Sequence, residues 1–416
     1  MTKRILVSAS TFPASATDSV PAFVKDQLIA MKHVDPSLDL HILAPHDNRS
    51  HTADTTNHAD FTEYRFHYMW PFQFEKLAGQ GGIMPQIKAN PLYYLLIPFL
   101  FIGEFIALYR LTKQLRPDYL YAHWFTPQGV TSAWVSRLTN TPFVFTTHAA
   151  DVDVWHKIPF VGRAIVRSHA KRAAAITAVS PRSLAKLERF FTADEWQMVR
   201  ERTKIIPMGV SLSPHPSSQS PNELKQRYDV AEAKVILFMG RLAEKKGVRY
   251  LLQAVAAMND PSLQLVIAGD GPLKSSLKRM ADDLGISSQT RFVGYVSGEE
   301  KADYLALADV VVLPSIITDD GDAEGLPVVF MEALAAGKIC IATNESGADN
   351  IIEHGKSGFL LPHKDIDALT ATIPTALALS SEQKIAMQTK AQKTAQQFDW
   401  ATVARSHLDF FDEQLS

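Results

Sequence analysis

The stretch EGLPVVFMEALAAG, Glu324 to Gly337, sets two carboxylates eight positions apart around an almost wholly apolar run. A carboxylate beside apolar neighbours is costly unless something pairs with it. Ionised, it is a strong acceptor for hydroxyl groups. Pro327 suits the first turn of a helix, with Gly325 and Leu326 leading into it. The free N–H groups and partial positive charge of such a helix start would take a phosphate. Glu332, two turns along, could then accept hydroxyls of the same ligand. A solvated helix face is the competing reading for Glu332, and the flanking VVFM and ALAA argue against it. Two further stretches suit the same ligand. FMGRLAEKKG ends a strand with Gly240 and then offers Arg241 and Lys246, a planar fork and a point charge for phosphate oxygens. A solvated basic turn is the alternative there. IAGDGPL places Gly269 and Gly271 in a tight turn that permits close backbone approach, without the G-x-G-x-x-G of a dinucleotide site.

Strand ends are where open α/β sheets bind ligands. Short apolar runs alternate with helix-length segments along the whole chain. RILVSAS, LDLHILA, YLYAHW, PFVFTTH and AAITAVS lie in the first half, and VILFMG, LQLVIAG, TRFVGYV, VVVLPS and KICIAT in the second. Runs rich in Val, Ile and Leu imply parallel sheets covered on both faces. Two sets of five predict two doubly wound, Rossmann-like domains, as 416 residues also suggest. SLSPHPSSQSPNEL, Ser211 to Leu224, is rich in Pro and Ser and predicts a linker. The tail FDWATVARSHLDFFDEQL has helical spacing.

Bulk composition excludes some classes. The chain is 46% apolar and 21% charged with net charge −2, which makes no electrostatic case for nucleic acid. Residues 1–205 carry a basic excess and the remainder an acidic one, which suits an anionic surface or is drift between domains. The single cysteine, Cys340, fits core packing in a reducing cytoplasm. MTKRILVSAS is too short an apolar run for a signal peptide. LYYLLIPFLFIGEFIALYRL, Leu92 to Leu111, is nearly long enough to span a bilayer, but Pro98, Gly103 and Glu104 interrupt it. It predicts an amphipathic helix, partly core and partly membrane-facing.

Taken together, GRLAEKKG, AGDGP, FVGYV and EGLPVVFMEALAAG, with IIPMGV, EHGKSGFLL, RPDYLYAHW and TTHAADV, resemble the retaining sugar-nucleotide glycosyltransferases of family 4, with the GT-B architecture. The resemblance implies an acceptor-binding domain over 1–208 and a donor-binding domain over 209–395. A C-terminal helix over 396–416 would pack towards the first domain, and the parallel sheets would face a deep interdomain cleft. It also implies roles. Arg241 and Lys246 would hold the donor diphosphate and stabilise it as leaving group. Glu332 would bind the ribose, Glu324 the hydroxyls of the moving sugar, and His148 the donor sugar. Gly294 and Tyr295 would meet the base, and Gly240, Gly269, Gly271, Gly325, Leu326 and Pro327 would line the donor. Retention by front-face attack follows, with the leaving phosphate helping to deprotonate the acceptor and Glu324 not acting as nucleophile. The donor expected is a UDP-sugar ahead of a GDP-sugar, with no cofactor.

Departures from the pattern bear on the acceptor. STFPASATDSVPAF has no glycine after the first strand, so that loop is assigned to the acceptor, with Asp18 as candidate. His123 lines the acceptor cleft or is a structural histidine. HAAD keeps His148 and Asp151. DVD follows the wrong element for a metal motif, so Asp151 is read as orienting the His148 loop. DDGDAE lacks the ligand set of a calcium loop, and no metal is expected. The acceptor expected is a lipid or saccharide. The aromatic run YRFHYMWPFQF and the basic face Arg163, Arg167, Lys171 and Arg172 favour an anionic membrane surface. A cytoplasmic protein, peripheral on the inner face of the membrane, is the resulting expectation. A soluble acceptor, a sugar-nucleotide epimerase and a sugar-nucleotide sensor are the rivals.

Overall fold

A computed structural model describes the chain except residues 1, 14–19, 21, 50–52, 79–82, 149–150, 159, 211, 213–219, 229, 231–232, 320, 325–327 and 350. It divides into two compact units, Met1–Gly209 with Trp400–Ser416, and Val210–Asp399.

Among the described residues the first unit holds an eight-stranded sheet. Its strands are β1 Arg4–Ser8, β2 Asp39–Pro45, β3 Thr55–Asn57, β4 Thr62–Phe66, β5 Tyr119–His123, β6 Phe143–Thr147, β7 Ala175–Ala178 and β8 Thr203–Ile205. Their order is β3-β4-β2-β1-β5-β6-β7-β8, parallel except for β3. Side chains alternate between faces, so Leu6, Leu120 and Ala122 enter one core while Ile5, Val7, Tyr119 and Tyr121 enter the other. Both faces are buried, which explains the near-continuous apolar runs. The helix Trp400–Leu415 belongs to this unit and packs on Phe23–Val34. Its Phe411 sits edge-on to Tyr121, with ring centroids 5.0 Å apart. Truncating Phe411 to Ala would cost about 3–5 kcal/mol, as for a fully buried aromatic.

Among its described residues the second unit holds six parallel strands: β9 Lys234–Met239, β10 Leu263–Ala268, β11 Thr290–Gly294, β12 Val310–Leu313, β13 Ile339–Thr343 and β14 Phe359–Leu361. Their order is β11-β10-β9-β12-β13-β14. The sheet order reverses between β9 and β12, so the loops after β9 and β12 flank the switch point where ligands bind.

The described sheets are larger than the two sets of five predicted. The added strands β3, β4, β8 and β14 are short or polar. In β4, TEYRF, the charged Glu63 and Arg65 are both buried because they pair with each other, while Arg65 also donates to the carbonyls of Phe12 and Pro45. The predicted linker Ser211–Leu224 ends as a helix, Pro221–Arg227. Ser220 and Glu223 form its capping box, and Pro221 occupies the first turn.

Candidate active site

In the second unit the strand-end turns are laced together. Gly240 N–H donates to Ala268 O at 2.9 Å, Gly269 N–H to Gly294 O at 2.6 Å and Leu242 N–H to Asp270 O at 2.8 Å. A Cβ on Gly269 would lie 1.9 Å from Gly240 O, so only glycine lets these turns approach. Gly240, Gly269, Gly271 and Gly294 therefore share one rim, with exposed Tyr295 beyond it. Arg241 leaves that rim exposed to solvent.

The loop after β9 is also fastened to the segment after β12. Gly247 has φ 66°, and a Cβ there would come within 1.8 Å of Pro314 O. Ile316 N–H donates to Lys245 O at 2.8 Å. These contacts bring Lys246 Nζ to 3.2 Å from Glu324 Oε2 and Lys245 Nζ to 3.7 Å from Glu324 Oε1. Lys245 also reaches Asp322 at 3.3 Å. Burial opposes the charge of Glu324, but Lys246 and Lys245 outweigh it and hold the carboxyl below its ordinary range. Glu332, on Val328–Ala335, is half-buried and meets Lys301 Nζ at 2.7 Å. Sequence reasoning missed both Lys245 and Lys301 as carboxylate partners. Gly325, Leu326 and Pro327 lie outside the described residues.

In the first unit, His148 follows β6 and is half-buried, stacked on Trp124 at 4.7 Å and near Phe23 at 5.5 Å. His123 ends β5, fully buried, with its Nδ1 3.5 Å from His148 Nε2. Asp151 ties the two loops together. It accepts from Phe125 N–H at 2.6 Å, Thr147 Oγ1 at 2.8 Å and His148 N–H at 3.2 Å. Burial raises its carboxyl to about 6 against the pull of those donors. Trp124 takes φ 72°, a conformation that costs a non-glycine residue on the order of 1–3 kcal/mol. The Asp151 bonds offset that strain and hold the indole against His148. Burial drives His148 down to about 3, with the imidazole of His407 adding to it. Both histidines are thus neutral at ordinary pH, able to hydrogen-bond a hydroxyl without carrying charge. Asp18 lies outside the described residues.

Two other clusters change the sequence reading. Within the basic face, Arg167 and Lys171 pair with Glu195 at 3.0 and 2.8 Å, and Arg163 and Arg167 donate to Phe190 O. One carboxylate thus offsets part of that face, while Arg163, Lys171 and Arg172 remain exposed. Asp153 of the DVD motif pairs with Lys186 at 2.6 Å. His46, His67 and Glu75 come together closely enough to hold a metal ion. Their polar atoms already satisfy one another. Glu75 Oε2 meets the two Nδ1 atoms at 2.6 and 2.9 Å, and Oε1 accepts from Tyr68 and Met69 N–H. The arrangement is that of a fully partnered buried carboxylate.

Two units with largely parallel sheets, one presenting paired cations and carboxylates at its switch point, suit a glycosyltransferase of GT-B fold, and similarity to known proteins shows that the chain is one. Residues 73–209 match the glycosyl transferase 4-like domain, and residues 221–395 match the glycosyl transferases group 1. The chain belongs to that family of nucleotide-sugar glycosyltransferases. It is 29% identical over 271 residues to the GDP-mannose-dependent alpha-(1-6)-phosphatidylinositol monomannoside mannosyltransferase of Mycobacterium tuberculosis, covering 64% of this chain and 68% of that protein. It is 29% identical over 252 residues to the putative teichuronic acid biosynthesis glycosyltransferase TuaC of Bacillus subtilis, covering 60% and 58%. In fold it is similar to Anabaena HepE solved with UDP, with TM-score 0.71 and 19% identity over 99% of this chain and 100% of that one.

Proposed function

We propose that this chain transfers a sugar, with retention of configuration and without a metal, from a nucleotide diphosphate to a lipid-linked acceptor. The product would be a glycolipid or a cell-surface polysaccharide precursor, made at the cytoplasmic face of a membrane. The contact between Lys246 and Glu324 carries the reading. A group suited to the departing phosphate lies beside a group suited to the hydroxyls of the sugar it leaves.

Breaking the bond between the anomeric carbon and the diphosphate oxygen builds negative charge on phosphate and positive charge on the ring. Arg241 and Lys246 would stabilise the phosphate, doing what a divalent cation does elsewhere. Glu324, held ionised by its lysines, would accept sugar hydroxyls and favour the cationic ring. The acceptor oxygen would bond to the anomeric carbon on the face the phosphate leaves. Its proton would pass to a departing phosphate oxygen, so no protein nucleophile is needed. Glu332 would hold the ribose. In the first unit, the neutral His148 would serve sugar or acceptor hydroxyls, while His123, fully buried behind it, is the structural histidine and not a liner of the acceptor cleft. The phosphatidylinositol monomannoside acceptor of the M. tuberculosis relative supports a lipid-linked substrate here.

The test is turnover with UDP-, GDP- and ADP-sugars against a polyprenyl-diphosphate saccharide, a phosphatidylinositol glycoside and a free saccharide, with and without EDTA. The anomeric configuration of the product is read by NMR. Transfer with retention that EDTA leaves unchanged is expected, with UDP-sugar ahead of GDP-sugar. Binding without turnover would make the chain a sensor, and epimerised donor an epimerase. Transfer only to the free saccharide would overturn the lipid acceptor.

A further inference from the structure

The helical stretch Pro91–Leu115 is long and apolar enough to cross a membrane, yet little of it is buried. It carries two stripes. Leu96, Leu100, Glu104, Leu108 and Thr112, four apart, face the core of the first unit and are buried. Leu92, Leu95, Phe99, Ile102 and Ile106 recur at three and four on the other side, all exposed. The only acidic side chain of the stretch, Glu104, points inward, so nothing on the outer stripe interrupts its apolar run. The same stripe then ends in cations, with Arg110 and Lys113 exposed and the Lys113 ammonium over the Tyr109 ring at 5.9 Å.

The apolar surface continues beyond this helix. Trp134, on the helix Val130–Thr139, packs against Phe101 and Phe105 and is itself part-exposed, and Leu138 one turn on is exposed. A Cβ on Gly103 would meet His67 O at 2.8 Å, so the segment after β4 presses directly on the helix. Three residues past that contact, Trp70 is 80% exposed, followed by exposed Phe72 and Phe74. Apolar patches of this extent mark interaction sites on soluble surfaces.

From this geometry we infer that the outer face of Pro91–Leu115 is a bilayer-docking surface that lies in the plane of an anionic membrane. The inner stripe is locked into the unit's core, so the helix cannot leave it to span the bilayer. An in-plane helix buries one apolar face at the boundary of headgroups and acyl chains, with indoles at that level and basic side chains reaching outward to the headgroups. Uninterrupted apolar side chains, exposed Trp and a cationic end match that occupant. The inference deepens the reading of a lipid-linked acceptor and rests on it for its purpose, though the surface is tested without turnover.

The full chain is floated with vesicles of phosphatidylglycerol and phosphatidylcholine, and with phosphatidylcholine alone. Binding to the anionic vesicles that weakens with salt is expected. Each cation near such a surface is worth about 1 kcal/mol, so Arg110→Ala/Lys113→Ala should weaken binding about 25-fold. Leu95→Glu/Ile102→Glu should abolish it. Both sets of changes are on the exposed face, and unchanged circular-dichroism melting checks the fold. The wild type gives an answer that needs no variant: bromine-labelled acyl chains should quench its tryptophan emission, and Trp70→Phe should reduce the quenching. Absence of flotation at low salt, or flotation untouched by Leu95→Glu/Ile102→Glu, overturns the proposal. So does a dimer that those two changes dissociate in the absence of vesicles, which would assign the face to a second copy. Transfer to a soluble acceptor analogue is measured in parallel. Its loss in the wild type would sink the proposed activity while leaving the docking result standing.

Discussion

Lys246 Nζ lies 3.2 Å from Glu324 Oε2, joining the loop after β9 to the segment after β12 across the switch point of the second sheet. Neither residue is needed to close the sheet, and both side chains retain some exposure. The ligand role proposed for the pair makes a prediction for each residue. Glu324→Gln and Lys246→Ala should each lower kcat by about 10²–10³-fold, the scale for removing one group aimed at developing charge. Melting temperatures should change little, because Lys245 still reaches Glu324 at 3.7 Å when Lys246 is cut back. Rates within a fewfold of wild type would remove both residues from the reaction.

Glu332 and Lys301 form the second pair, 2.7 Å apart. A carboxylate on the ribose acts on donor binding and not on the chemical step. Glu332→Ala should raise the donor KM by about tenfold with kcat nearly unchanged, the loss of one charged hydrogen bond. Lys301→Ala should change KM by less than about threefold, since part-exposed ion pairs are weak. A donor lacking the ribose hydroxyls should be insensitive to Glu332→Ala. If the variant penalises that donor as much as the normal one, the ribose assignment is wrong.

The glycines and cations at strand ends were legible because their chemistry is local. A turn that needs Gly269 beside Gly240 leaves its mark in adjacent letters. The partners of the carboxylates were not legible. Lys301 reaches Glu332 from the helix Gly298–Leu307, and only the sheet order brings the two together. The strands β3, β4 and β8 were missed because they lack an apolar run of their own, and β14, Phe359–Leu361, because its apolar run is only three residues long. In β4 the buried charges of Glu63 and Arg65 cancel each other, which hides a strand from any reading based on hydropathy. The carboxylate beside the basic face at Arg163 was not legible for a related reason. The helical spacing of that face is real, but Glu195, on the separate helix Ala193–Arg200, already takes Arg167 and Lys171.

Glu104 offers a test of the docking helix from its inner side. It is buried, with Thr131 Oγ1 donating to it at 3.1 Å and Gln128 Nε2 3.4 Å away. Burial raises its carboxyl to about 8, against the pull of Thr131. The folded chain therefore holds a proton that the unfolded chain gives up near 4.5. The contribution of Glu104 to stability falls as pH rises from about 4.5 to 8, and the loss is complete above 8. Glu104→Gln keeps an acceptor for Thr131 and has no proton to lose. It should flatten this part of the profile and gain on the order of 2–4 kcal/mol relative to wild type at pH 8. Urea melts at pH 5.5 and 8 measure it, and parallel profiles for the two proteins would refute the buried neutral acid.

The imidazoles of the first unit predict the opposite slope on the acid side. Burial holds His123, His148 and His407 below the ordinary histidine value of 6.5, His148 at about 3 and His407 at about 4. Below pH 6.5 the unfolded chain takes up protons that these folded sites refuse. Their contribution is fully present above 6.5 and is lost as pH falls towards 4 and 3, at about 1.4 kcal/mol per pH unit for each group. His407 sits beside Tyr121 and Phe411, where an aromatic ring fits. His407→Phe should therefore keep the packing and lower the acid-side slope between pH 6 and 4.5 by about 1.4 kcal/mol per pH unit. The same neutrality governs activity. His148 should produce no break in the pH–rate profile near 6.5, because it does not titrate there. A break at that pH which disappears in His148→Asn would show a charged imidazole at work and would overturn the hydrogen-bonding role given to it.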